Sequence, residues 1–223
     1  MGKLPEKETV GDHAMFITKI VASMIPAIGG PALELLGLVN TPLETRKTQW
    51  FNEMAERINR LEDESISKEK LMNNPEFITV FIHASQIAIR NHEQEKLDAL
   101  KNAIVNTARN ITISNNMKLI FLSYIDNITP WHIKILHYFS DPKNACITNG
   151  VNLDKYSMGG ATTFMEEVYP ELRGKREFYD LIYQDLEAKG LTLKGTLHAT
   201  TSSSGMLAKR TTNFGDEFLS FVS

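Results

Sequence analysis

The chain is poor in cysteine: Cys146 is the only one in 223 residues. That excludes an internal disulfide framework and a cysteine cluster for zinc. A single reduced thiol fits a cytosolic protein. No charge of one sign dominates either. Twenty-four Lys and Arg stand against 27 Asp and Glu, a formal net charge of −3. A binder driven by phosphate neutralisation needs a local surplus of cations, which this balance does not supply overall. Long apolar runs are missing too. The longest uncharged stretch near the N-terminus, between Lys19 and Glu34, holds fourteen residues, short of the roughly 20 that a spanning helix needs. It is broken by Pro26, Gly29-Gly30 and Pro31.

Motifs of catalysis are equally scarce. There is no Gly-x-Ser-x-Gly, no His-Glu-x-x-His and no Walker-type loop, since "AIGGPALE" lacks the required Lys-Ser/Thr. His132 and His137 are five apart, so they do not share one helix face as a metal pair would. Cys146, in "KNACITNG", has no histidine beside it and reads as a small packed residue. No catalytic residue, metal or cofactor is expected. The N-terminus "MGKLPEKETVGDHAMF" matches neither a secretory signal nor the myristoylation pattern, and the expectation is an unprocessed cytoplasmic chain.

What is present is helical periodicity. In "PLETRKTQWFNEMAERINRLEDE", Leu43, Trp50, Met54, Ile58 and Leu61 form one apolar stripe behind a Thr41-Pro42 start signal. "PEFITVFIHASQIAIRNHEQEKLDALKNAIVNTARN" is the longest helical stretch, with a kink or short break expected near Asn91 where the stripe pauses. Thr129-Pro130 opens "WHIKILHYF" in the same way. Residues 141–160 read as loop. "ATTFMEEVYPEL" reads as a short helix. "REFYDLIYQDLEAKGL" reads as an amphipathic helix with Phe178, Leu181, Ile182 and Leu186 inward and Gly190 as its stop. Leu191 to Thr212 then reads as a hairpin around a flexible Ser-Ser-Ser-Gly tip. The fold class is mainly α: a helical region over residues 1–125, followed by an α-plus-hairpin domain over 126–223.

That C-terminal succession resembles a winged-helix domain. "TPWHIKILHYF" stands as first helix, "FMEEVYPEL" as second, and "REFYDLIYQDLEAKGL" in the recognition position. Leu191 to Thr212 would be the wing and "TNFGDEFLSFV" the closing helix. The endings Leu186-x-x-x-Gly190-Leu191 and Thr212-x-x-Gly215-x-x-Phe218-Leu219 carry the likeness. The N-terminal half, with "EKLDALKNAIVN" (Glu95 to Asn106), resembles uncharacterised bacterial helical proteins and brings no activity with it. The winged-helix likeness implies recognition of DNA or protein. Candidate contacts are Lys175, Arg176 and Gln184 on the recognition helix, with Lys194, Lys209 and Arg210 on the wing. Glu177, Asp180, Asp185 and Glu187 on the same helix oppose phosphate binding. Leu186 and Phe218 are expected in one core.

Two further expectations concern partners. Gln86, Arg90 and Glu93, four and three apart, form a polar seam on one helix face, either for a partner helix or as a solvated surface. The apolar hairpin at residues 20–39 is read as buried core. The alternative is a membrane-acting bacterial toxin or defence effector that inserts this hairpin. The leading reading is a non-enzymatic binding or regulatory protein, with a protein partner or self-association and DNA as its other candidate ligand.

Overall fold

In the computed structural model, residues 42–109 and 111–223 are described. The apolar hairpin expected at 20–39 lies outside them. The described residues are mainly helical, with a small two-stranded antiparallel sheet near the C-terminus. They divide into two compact units, the boundary falling between Asp126 and Asn127.

In the first unit, α1 (Pro42–Asp63) buries Trp50, Met54, Ile58 and Leu61, the stripe read from the sequence. A short α2 (Lys68–Met72) leads to α3 (Pro75–Arg90). Asn74 caps α3 by accepting from the N–H groups of Glu76 and Phe77, and Pro75 sits at the first turn, where a missing N–H costs nothing. The long periodic stretch then breaks. Asn91 is extended (φ −107°, ψ 155°), its side-chain amide donates to the Ile87 carbonyl at 2.8 Å, and α4 restarts at Gln94–Ala108. Helix α3 packs on α1, α2 and α4, and α1 also packs on α4.

Helix α4 is buried on most sides: Ala99, Leu100, Ala103, Ile104 and Val105 are core. Its lysines are buried as well. Lys101 pairs with Glu53 of α1 and with Asp98. That bond, the largest influence on the Glu53 carboxyl, holds it below the usual range. Lys96 donates to the Asp126 carbonyl at 3.0 Å, and burial pulls its pKa down. Lys118, on α5 (Asn115–Asn127), reaches Glu76 at 2.5 Å. Buried ammonium groups need such partners, because an unpaired buried charge is costly.

The second unit opens with α6 (Pro130–Ser140), whose capping box joins Thr129 and His132. His132 Nδ1 accepts the Thr129 N–H at 3.1 Å, leaving Nε2 to carry the proton it offers to Asp185 at 3.2 Å. Residues 141–160 are not simply loop. Asp141 caps a further helix, α7 (Pro142–Thr148), which buries Pro142 and Cys146. The Asp-Pro start signal was there to be read, but the seven residues are too few to show periodicity.

Strand β1 (Met158–Gly159) precedes α8 (Thr162–Val168), and a 3-10 turn (Pro170–Leu172) leads to α9 (Arg176–Ala188). Gly190 ends α9 with φ +73°, a left-handed value that favours glycine. The expected hairpin is reduced to an isolated antiparallel bridge, Thr192 to Thr211, with Leu193 N–H donating to the Arg210 carbonyl at 2.7 Å. β2 (Thr201–Ser202) pairs instead with β1. The Ser-Ser-Ser-Gly tip is no flexible turn. Ser203–Met206 forms α10, and the Ser202 hydroxyl accepts the Gly205 N–H at 3.3 Å. Serine favours helix N-caps over hairpin tips in this setting.

Helix α11 (Asn213–Val222) closes the chain, capped by the Thr212 hydroxyl, which accepts the Gly215 N–H at 2.9 Å. Gly215 lies so close to the segment after α9 that a Cβ would stand 2.0 Å from the Leu191 carbonyl oxygen. Gly215→Ala is therefore expected to lift α11 off that backbone and cost about 2–3 kcal/mol, as overpacking does. A urea midpoint equal to that of the wild type would contradict this close approach.

Candidate functional site

The candidate interface is the outer face of α9 together with the segment that follows it. Two apolar stripes overlap on α9. Phe178 and Leu181 share Ile182 and Leu186 with an alternative set that begins at Tyr179 and Tyr183. The tyrosines take the inner position, correcting the sequence reading. Tyr179, Ile182, Tyr183 and Leu186 are buried, while Phe178 is 40% exposed and Leu181 66%. The hydroxyls explain the choice, since each tyrosine finds a partner at the edge of the core. Tyr179 donates to Glu166 at 2.8 Å and Tyr183 to the Leu193 carbonyl at 2.9 Å. Burial, with the Glu166 bond second, pushes the Tyr179 phenol up to about 12.

Phe178 meets the Trp131 ring edge-on, with centroids 6.2 Å apart. Trp131 also contacts Tyr169 edge-on at 5.7 Å, and the Lys134 ammonium lies 5.3 Å from its ring centre. The exposed apolar surface thus has a rigid aromatic flank. Leu193, 49% exposed, adds a third apolar side chain after the helix.

A groove of about 430 Å³ runs between α9 and residues 195–198. Asp180, Gln184 and Glu187 line one wall, four and three residues apart and hence on one helical stripe. The opposite wall is pinned at both ends. His198 Nε2 lies 2.7 and 2.9 Å from the two Asp180 oxygens. Glu187 accepts the Gly195 N–H at 3.3 Å. Tyr183 and Leu197, both buried, line the groove between these pins, and no Lys or Arg is among its lining residues.

The basic residues nominated from the sequence do not act as one set. Lys175 and Lys194 are exposed. Arg176 is exposed, but its Nε lies 3.5 Å from Asp180 on the next turn. Lys209 pairs with Asp216 at 2.5 Å. Arg210 turns inward, contrary to a phosphate-contact role. Its backbone N–H donates to the Phe139 carbonyl at 2.8 Å, and its side-chain Nε is buried without a hydrogen-bond partner. Gln184 is exposed and belongs to the groove wall.

The seam in the first unit also needs correction. Gln86 and Arg90 belong to α3, but Glu93 lies beyond its end as the N-cap of α4, so the three do not share one helix face. Arg90 is engaged by Asp126 at 3.0 Å and by the Gln86 carbonyl at 3.2 Å.

Cys146 is buried, and burial pushes its thiol up to about 11, so it is protonated and inert at neutral pH. Among the described residues, no group of three or more His, Cys, Asp or Glu could hold a metal ion, and no helix is long and apolar enough to cross a membrane. Comparison with protein families, curated proteins and solved structures finds no match to this chain.

Proposed function

We propose that this is a non-enzymatic binding or regulatory protein whose C-terminal unit is a winged-helix-like module that recognises protein rather than DNA. The order of elements supports the module. Helix α6, strand β1, helices α8 and α9, the bridged segments around Thr192 and Thr211, and the closing helix α11 come in the winged-helix order, with α7 inserted before β1 and β2 and α10 inserted between the bridged segments.

One observation carries the choice of ligand: the outward face of α9, in the recognition position, presents Phe178 and Leu181 among Glu177, Asp180 and Gln184. A helix that enters the major groove needs donors for base edges and cations for phosphates. Carboxylates beside exposed apolar side chains suit a protein partner, because large apolar side chains gain by burial and are enriched in interface centres.

Selection of displayed peptides against the full chain tests this reading. Selected peptides are expected to lose at least about tenfold in affinity against Leu181→Asp, which plants a charge on the apolar centre. Duplex DNA should not compete with them. Peptides that bind the variant as well as the wild type, or that DNA displaces, would overturn the reading.

A further inference from the structure

We draw no further inference here: the strongest candidate, the side-chain cluster of the Tyr138 and Thr192 hydroxyls with the Arg210 Nε in the C-terminal unit, carries nothing because those atoms, though unpartnered, are sealed from solvent and no ligand reaches them.

Discussion

Replacing Phe218 by alanine is expected to destabilise the C-terminal unit by about 3–5 kcal/mol, the range for emptying a buried aromatic site. Phe218 is fully buried on α11, and α11 packs against α6. The backbone around it leaves little room to collapse into the void. Gly215 is pressed against Leu191, and the Thr212 N–H donates to the same Leu191 carbonyl at 3.1 Å. Helix α11 is therefore anchored from its first turn and cannot slide inward to refill the space. Urea unfolding monitored by hydrogen exchange in residues 213–222 measures the loss. A cost below about 1 kcal/mol would mean that α11 is not part of this core.

The second large effect belongs to the N-terminal unit. Trp50→Ala should cost about 3–5 kcal/mol, again by removing a buried aromatic group. Trp50 is 4% exposed, and its indole N–H donates to the Ser85 hydroxyl at 3.0 Å in the α1–α3 interface. The two parts of this contribution are separable. Trp50→Phe keeps most of the apolar surface and forfeits the hydrogen bond to a fully buried serine, so it should cost about 1–3 kcal/mol. The paired Ser85→Ala variant should recover part of that loss in the Trp50→Phe background, because it removes the orphaned hydroxyl. A double-mutant cycle from denaturant unfolding measures the coupling. Strict additivity of the two substitutions would contradict the bond.

How much of this was legible in the sequence follows from the range of the interactions involved. The α1 stripe through Trp50, Met54, Ile58 and Leu61 repeats every three or four residues, so it was visible, as were the proline start of α1 and the threonine-proline start of α6. The break near Asn91 was visible as a pause in the apolar pattern. Ser85 as the partner of Trp50 was not, because the two are 35 residues apart and nothing local marks a buried hydroxyl. The lysines of α4 are a related case. Nothing local marks Lys96 and Lys101 as buried, and they are satisfied by Asp126 and Glu53, which come from elsewhere in the chain.

The candidate site shows the same division. Its helix was legible, along with its stop at Gly190 and its carboxylates. Its orientation was not. Phe178 and Leu181 fit the inward stripe as well as Tyr179 and Tyr183 do by hydrophobicity alone, and only the distant partners Glu166 and Leu193 decide between them. His198 was one of six scattered histidines until folding brought it to Asp180, eighteen positions away. Arg210 looked like a wing cation because a hairpin exposes alternate side chains. The single bridge at Thr192 and Thr211 replaces that regular alternation, and Arg210 turns inward.

The central claim, that the α9 face serves protein and not nucleic acid, is tested most directly by fluorescence anisotropy of labelled duplex DNA titrated with the full chain at low ionic strength. There the electrostatic contribution to any DNA complex is strongest. The account predicts no binding tighter than about 10⁻⁶ M, the upper end of non-specific affinity at physiological salt, even at low ionic strength, where a phosphate-neutralising binder would gain several orders of magnitude. It also predicts no change in that weak signal when Lys209 and Arg210 are replaced by alanine, since Lys209 is paired with Asp216 and Arg210 turns inward. A complex tighter than that limit, whose salt slope falls by about two in the double variant, one for each lost phosphate contact, would contradict it.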